Sequence, residues 1–325
     1  MSSGGEKEGS FFRQDPLSGE WVLFAPNRGA RPNAFIRSAE EQTKTTECPF
    51  CPGHEKETPP EIERRGTAET WTIRVIPNRY PALSSAPDGP LRAGSIAGRG
   101  PHEVIIDAPE HKHMDEMSPT EVVQLFEVYA KRVRATRAVD GVKAVALFKN
   151  DGENAGESIH HPHTQLLGLP LVPDRIARMA IHFDSGCSFC AGLPSTPNSH
   201  LSERLVHEGD EFAIITPFAP RRAYEAWIVP RRHVGSIDEM SVAELRAFAD
   251  MARRAVGAVR RISSGVSFNL CFYQSPVDRA GSFHLYAEVT PRRSVMGGFE
   301  LETGILINVV TPEEAANKLR ELAGE

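Results

Sequence analysis

The stretch Cys187-Ser-Phe-Cys190, with His233 and His284 after it, repeats the stretch Cys48-Pro-Phe-Cys51, with His111 and His161 after it. The histidines stand 50 residues apart in the first set (111 to 161) and 51 apart in the second (233 to 284). A single Cys-x-x-Cys pair carries little information. Two pairs, each followed by two histidines at nearly equal steps, point to a duplicated unit. Redox thiols are the alternative, but such a pair belongs at a helix start in a βαβ setting. Pro49 and Phe50, followed by Pro52-Gly53, read instead as a knuckle folded round a metal. Thiolate and imidazole donors together favour Zn2+ in closed tetrahedral sites. Two structural zinc sites are therefore expected, one on Cys48, Cys51, His111 and His161, the other on Cys187, Cys190, His233 and His284.

The repeat extends outward from these residues. Asp115-Glu-Met-Ser118 follows His111, and Asp238-Glu-Met-Ser241 follows His233. Ser118-Pro-Thr-Glu121 and Ser241-Val-Ala-Glu244 are capping boxes, each predicting the first turn of a helix. Val122, Phe126, Tyr129 and Val133 share one face of the first helix; Leu245, Phe248, Ala252, Val256 and Val259 share one face of the second. Strand-like runs precede the helices (Glu103 to Asp107, Ala226 to Val229) and follow them (Ala144 to Lys149, Val266 to Tyr273). The fold class predicted is α+β: a tandem duplication of one unit, with antiparallel sheets and flanking helices. Residues 1–10 read as a polar, disordered tail, 11–178 as a catalytic N-terminal half and 179–325 as a degenerate C-terminal half. A helical linker starting at Asp174 joins the halves. Asp15-Pro-Leu-Ser-Gly-Glu-Trp-Val-Leu-Phe24 reads as a turn feeding a strand, Ser84 to Pro101 as a long mobile loop, and Thr311-Pro-Glu-Glu314 as the cap of a terminal helix.

Composition sets bounds. The 325 residues are 40% hydrophobic and 25% charged, ordinary for a globular chain, and no apolar run approaches the length of a membrane span. The net charge of −6 argues against a general nucleic-acid binder. The start has no apolar signal region, so a cytoplasmic location is expected. Of five cysteines four sit in the two pairs; Cys271, in the apolar run Phe268 to Tyr273, is expected to be a small core residue.

The densest chemistry lies in Asn150-Asp-Gly-Glu-Asn-Ala-Gly156-Glu-Ser-Ile-His-His161-Pro-His163-Thr-Gln165. If this run is extended, His161, His163 and Gln165 share a face. Pro162 suits a strand start or edge. A neutral imidazole can attack the α-phosphorus of a nucleotide sugar and release a sugar 1-phosphate. The Gln165 amide can donate to the phosphate oxygens, and Gly152 and Gly156 let the backbone approach them closely. A further metal cluster or a buried polar strand is the competing reading.

With His-Pro-His-x-Gln, Asn150 upstream and the Cys-Pro-Phe-Cys set, nearly the whole chain resembles the galactose-1-phosphate uridylyltransferases of the histidine-triad superfamily. The resemblance implies two histidine-triad-like halves, a homodimer, and ping-pong transfer of UMP between UDP-glucose and galactose 1-phosphate through a nucleotidyl-histidine. It implies His163 as nucleophile, Gln165 as phosphate-oxygen partner, Asn78 at the nucleotide, Asn150 and Gly156 at phosphate and sugar, and Glu300 at the hexose hydroxyls. Aligning His284 with His161 puts Tyr286 opposite His163 and Glu288 opposite Gln165, so only the first half is expected to react. There are departures. Thr164 stands where a glycine is frequent, and Thr303-Gly304 stands where a glutamine is expected. The second zinc set and the Gly-Gly-Phe-Glu-x-x-Thr-Gly pattern resemble the branch containing ADP-glucose phosphorylases. An adenylyl-transferring phosphorylase is thus an alternative. So is a histidine-triad hydrolase, against which Gln165 argues, and so is a non-catalytic, zinc-stabilised binding protein.

Overall fold

The strand runs near the reactive motif alternate buried with half-buried residues, the pattern of an antiparallel sheet with one face packed on the core. The structure, a computed structural model, describes residues 9–30, 48–84, 93–192, 202–279, 281 and 283–323. Most of the expected tail (residues 1–8) and part of the expected mobile loop (residues 85–92) lie outside the described residues. The strands are β1 (Phe11–Gln14), β2 (Trp21–Phe24), β3 (Glu63–Gly66), β4 (Trp71–Pro77), β5 (His102–Ile106), β6 (Ala144–Asp151), β7 (His163–Leu169), β8 (Leu205–Glu208), β9 (Phe212–Ile215), β10 (Ala226–Pro230), β11 (Phe268–Tyr273), β12 (Tyr286–Pro291) and β13 (Leu306–Asn308). The helices are α1 (Pro119–Arg137), α2 (Asp174–Asp184), α3 (Ser188–Gly192), α4 (Val242–Arg260), α5 (Gly298–Thr303) and α6 (Pro312–Ala323).

Ten strands form one antiparallel sheet in the order β3-β4-β5-β7-β6-β11-β12-β10-β9-β8, and a small sheet runs β1-β2-β13. From the β6–β11 seam outward, the large sheet reads 6-7-5-4-3 on one side and 11-12-10-9-8 on the other. Each side repeats the other strand for strand, with one long helix, α1 or α4, in the matching place. The α+β class with a large antiparallel sheet and flanking helices is what the sequence pattern predicted.

Both long helices start where the capping boxes lie. Ser118 Oγ accepts from Glu121 N (3.3 Å) while Glu121 Oε2 accepts from Ser118 N (2.7 Å); the Ser241–Glu244 pair does the same at 3.2 and 2.8 Å. These bonds satisfy amide groups that the helix itself leaves free. The predicted apolar faces of α1 and α4 pack on one face of the sheet, where Phe126 meets Phe248 at 5.1 Å between ring centroids and Phe248 meets Phe272 at 5.7 Å. Each such ring stabilises the fold by about 1.5–3 kcal/mol through its burial. This core runs without a break beneath both halves, from Ile73 to Val289.

The opposite face carries the chemistry. Opposite pairs along β5, β7 and β6 are Val104↔Gln165, Ile106↔His163 and Phe148↔Gln165. Those side chains therefore share a face with His102 and Asn150, while Thr164, Lys149 and Leu166 point to the helical core. Cys48 and Phe50 pack on Ile76, Val104 and Ile106 at one end of this chemical face. Phe189, beside the second cysteine pair, packs on Trp227, Phe283 and Tyr286 at the other end. Two expectations need correction. The strand begins at His163, so His161 lies just before it: its amide turns back to Ile159 O (2.7 Å) instead of joining the ladder. Cys271 is not a core residue; it is partly exposed and lines a cavity, because its strand faces the chemical side there.

Candidate active site and metal centres

Backbone bonding fixes which nitrogen of His163 can react. Its Nδ1 lies 2.8 Å from the carbonyl oxygen of His161. A carbonyl only accepts, so Nδ1 carries the proton and Nε2 keeps its lone pair. The ring is 4% exposed, and burial is the main cause holding its pKa below the ordinary histidine value. The Phe50 edge packs against it at 5.6 Å between centroids.

Gln165 is held by a residue the sequence reading missed. Ala82 N donates to His102 Nδ1 at 3.0 Å, so that nitrogen is unprotonated and the His102 proton sits on Nε2. His102 Nε2 lies 3.0 Å from Gln165 Oε1 and donates to it. The Gln165 carbonyl is thereby turned toward His102, and its NH2 group away from it. Asn78 Nδ2 lies 3.1 Å from the same His102 nitrogen, and Asn78 N donates to His102 O at 2.8 Å. Asn78, His102 and Gln165 therefore form one cluster. Period-2 alternation could have pointed to His102, which opens the run before Glu103.

Asn150 and Gly156 belong to a loop that folds back at the end of β6. Asn150 Nδ2 donates to Gly156 O (3.3 Å), and Asn269 Nδ2 donates to both Asn150 Oδ1 (2.8 Å) and Ala155 O (2.9 Å). Gly152 and Gly156 take φ of +86° and +87°; a Cβ at Gly152 would meet Ser267 Oγ at 2.3 Å. Both positions therefore need glycine, and the turn brings the loop beside Asn150. Asn269, on the C-terminal half, was also missed by the sequence reading. Glu300 does not join this group: it caps α5, accepting from Gly297 N at 2.9 Å, and its charge acts on Arg222.

Beneath the site, Lys149 Nζ donates to Asp107 Oδ2 at 3.0 Å with both residues 1% exposed. Thr164 Oγ1 donates to the same oxygen at 3.1 Å, and Tyr129 OH lies 2.6 Å from Thr164 Oγ1. The coulombic influence of Asp107 and Asp151 keeps the buried Lys149 charged, its pKa raised despite desolvation as the largest single opposing effect.

The two expected metal sets both assemble. In the first, Cys51 Sγ lies 3.1 Å from His111 Nε2, Cys48 Sγ lies 3.5 Å from His161 Nδ1, and the two imidazole nitrogens are 3.3 Å apart. In the second, Cys187 Sγ lies 3.2 Å from His284 Nδ1 and Cys190 Sγ lies 3.4 Å from His233 Nδ1. Within each set the four donor atoms all fall within 4.8 Å of one another. A tetrahedron with metal–ligand bonds of about 2.0–2.3 Å has edges of roughly 3.3–3.8 Å, so the donors fit a four-coordinate ion. Each set also has its outer support: His161 Nε2 donates to Ala108 O and His284 Nε2 to Pro230 O, both at 2.8 Å, which turns Nδ1 to the thiols. Burial holds both rings neutral, with pKa down to about 4, the form a metal binds. Burial first, and the neighbouring thiol, push Cys51 and Cys187 up to about 11, so these sulfurs become thiolates only when a cation compensates them. No helix among the described residues is long and apolar enough to cross a membrane.

A sequence profile of the galactose-1-phosphate uridyl transferase N-terminal domain matches residues 5–173, more than half of the chain. ADP-glucose phosphorylase of Arabidopsis thaliana is 29% identical, the alignment covering 98% of this chain and 94% of the relative. Galactose-1-phosphate uridylyltransferase of Thermotoga maritima is 30% identical over 95% of this chain and 97% of the relative. Among solved structures, the Arabidopsis thaliana ADP-glucose phosphorylase with bound ADP-glucose superposes with a TM-score of 0.84 at 28% identity, covering 96% of this chain and 99% of that one. A uridylyltransferase superposes with a TM-score of 0.75 at 22% identity over 96% and 98%, and shows the shared fold. Sequence and fold together place this chain in the galactose-1-phosphate uridylyltransferase family of the histidine-triad superfamily, a family of nucleotidyl-transfer enzymes.

Proposed function

We propose that the chain transfers a nucleoside monophosphate from a nucleotide sugar to the phosphate of an acceptor, through a covalent intermediate on His163. The observation that carries this reading is the Nδ1–H bond of His163 to its own chain, which leaves Nε2 as the nucleophile. In the first step Nε2 donates its lone pair to the α-phosphorus, and the bond to the bridging oxygen of the β-phosphate breaks. The sugar 1-phosphate leaves with that electron pair. The imidazole now carries positive charge, and the His161 carbonyl that accepts from Nδ1–H stabilises it. In the second step an acceptor phosphate oxygen attacks the same phosphorus, the Nε2–P bond breaks, and the lone pair returns to Nε2. No proton needs to cross the site. The Gln165 NH2, aimed by His102, donates to the non-bridging oxygens as charge builds on them. Asn78 stands at the nucleotide, and Asn150 and Gly156 border phosphate and sugar; Glu300, which caps α5 away from these residues, is assigned to the hexose hydroxyls by family resemblance alone.

For the substrate pair we take UDP-glucose and galactose 1-phosphate. The second reading, ADP-glucose with inorganic phosphate, is favoured by the closer superposition on the Arabidopsis phosphorylase. Both metal centres gather segments far apart in sequence just outside the strand ends, and Zn2+ suits their two thiolates and two imidazoles; when bound it would supply structural cross-linking. Residues 11–178 act as the catalytic half and 179–325 as its degenerate partner. A homodimer would cover the exposed run of Val295, Met296, Phe299 and Leu301.

The test is intact-protein mass after rapid quenching with UDP-glucose and, separately, ADP-glucose. A UMP-sized adduct from UDP-glucose only, lost in His163→Ala, supports the uridylyl reading; an AMP-sized adduct from ADP-glucose only supports the second. An adduct that persists in His163→Ala refutes the nucleophile. Overall transfer should fall by about 10⁴-fold or more in that variant.

A further inference from the structure

The C-terminal half has a cavity of its own, of about 360 Å³, between β11, β12 and the small sheet. It opens on the same face as His163. Going across the sheet, β7, β6 and β11 follow in order, and Asn269 pairs with Asn150. Two strand spacings of about 4.8 Å put the near wall of the cavity roughly 10 Å from the β7 strand.

Its charge is out of balance. Arg221, Arg222 and Arg292 line it together with Glu20 and Glu288. Both carboxylates are already taken: Glu288 Oε1 accepts from Arg221 Nη2 and from Thr290 Oγ1, each at 2.6 Å, and Glu20 accepts from Arg175 at 2.7 Å. The guanidinium groups of Arg222 and Arg292 have no carboxylate within 4 Å among the described residues; Glu225 Oε2 accepts from the Arg222 backbone N–H, at 3.2 Å. Arg222 Nη1 reaches only Ser294 Oγ, at 3.5 Å, and Arg292 Nε donates to the neutral Asn269 side chain. Arg222 is 9% exposed; desolvation, and then the charges of Arg292 and Arg221, push its pKa down, with Glu300 and Glu225 opposing from farther off. Like charges facing one cavity are relieved by an anion.

Two polar atoms of the lining residues, buried just behind the wall, also lack partners. Glu288 Oε2 and Arg221 Nε have no hydrogen-bond partner, the former lying 4.0 Å from the nearest Arg175 nitrogen. An unsatisfied buried carboxylate oxygen asks for a donor, and a guanidinium N–H asks for an acceptor; one hydroxyl group supplies both. Burial pushes Cys271, also on the wall, up to about 12, so its thiol adds no opposing charge. Trp21 and Tyr273 offer ring surfaces beside these groups.

We propose that this cavity binds a small phosphorylated polyol, such as a hexose phosphate, with its phosphate on Arg222 and Arg292 and a hydroxyl on Glu288 and Arg221. The cavity adjoins the His163 centre through Asn269, but the proposal does not depend on the chemistry assigned to His163.

The experiment uses the full chain. Crystals are soaked with glucose 1-phosphate, and its binding and that of inorganic phosphate are measured by calorimetry at fixed ionic strength. The reaction centre is blocked with a saturating nucleoside monophosphate. Density at Arg222 and Arg292, with affinity at least tenfold weaker in Arg292→Met, is the expected result; the partly exposed Arg292 makes this variant the safer to fold, and Arg222→Met is the second. Glu288→Gln should weaken glucose 1-phosphate while sparing inorganic phosphate. The blocked His163→Ala protein should bind like the blocked wild type, so a failed reaction mechanism leaves this test intact. Ligand density at the His163 centre alone, or affinity unchanged in both arginine variants, overturns the site. Equal affinity for inorganic phosphate and glucose 1-phosphate overturns the polyol.

Discussion

Replacing His102 with leucine removes the side chain that, among the described residues, fixes the direction of the Gln165 amide. In the native arrangement the proton on His102 Nε2 goes to Gln165 Oε1 at 3.0 Å, since Ala82 N already donates to Nδ1. Without that bond the amide has two orientations related by a half-turn, and only one presents NH2 to the phosphate. A hydrogen bond of this kind contributes a net of about 0.5–1.5 kcal/mol, equivalent to about 2- to 12-fold in a rate. Deleting the donor outright, as in Gln165→Ala, sets a ceiling of about 10²–10³-fold. His102→Leu should therefore slow formation of the nucleotidyl-enzyme by about tenfold, with the melting temperature tracked to exclude general unfolding. His102→Gln, which can accept from Ala82 and donate to Gln165, should restore most of the rate. The assay is single-turnover adduct formation, quenched and read by intact mass. A positioning role requires that His102→Leu add nothing in a Gln165→Ala background. If the two losses multiply instead, His102 acts independently of Gln165 and the reasoning fails.

Removing one metal ligand should empty one centre only. Metal analysis of Cys48→Ser and of Cys187→Ser should each show one equivalent less than wild type, with a lowered melting temperature, since structural metal binding contributes on the order of 10 kcal/mol of folding free energy; unchanged metal content in either would count against that set. Lys149→Met strands the buried Asp107 carboxylate and should cost about 3–5 kcal/mol in urea denaturation; a loss under 1 kcal/mol would show that Thr164 and Tyr129 suffice for Asp107. Glu244 is held down to about 2, first by its bond to Arg232. Its folded pKa lies below the unfolded one, so its stabilisation is present above about pH 4.3 and fades as pH falls toward 2. The difference in melting temperature between wild type and Glu244→Gln should shrink over that window, and a difference constant from pH 6 to 2.5 would rule the pair out as its source.

What the sequence disclosed was whatever local chemistry decides. Capping boxes at Ser118 and Ser241 are short-range devices, and both helices begin there. The metal sets were legible because thiol and imidazole spacing repeats, even though thiols and imidazoles meet across 43 residues or more. His102, Asn269 and Arg292 were not legible. Each acts through a partner on another strand, and which residues face each other depends on strand order, which a single sequence does not reveal. Cys271 was misjudged for the same reason: its apolar neighbours pack on the helical core, while its own side chain points to the other face.

The duplicated halves show what was kept and what was exchanged. His161 and His284 make the same two contacts, with a thiol on one nitrogen and a backbone carbonyl on the other. Two residues on, the halves part. His163 keeps a free nitrogen at the start of a central strand, whereas Tyr286 is fully buried and stacks on Tyr273 at 4.8 Å. A phenol packed in this way is neither placed nor ionised for attack; burial holds its pKa well above the usual tyrosine value. Gln165 presents a neutral amide, whereas Glu288 would repel a phosphate were it not paired with Arg221. That pairing takes up one arginine and leaves Arg222 and Arg292 uncompensated. On the proposed reading, the second half therefore lacks the nucleophile but carries a surplus of positive charge about two strands away from β7. If the cavity there takes a sugar phosphate, the degenerate half is a binding half set beside the transferring one.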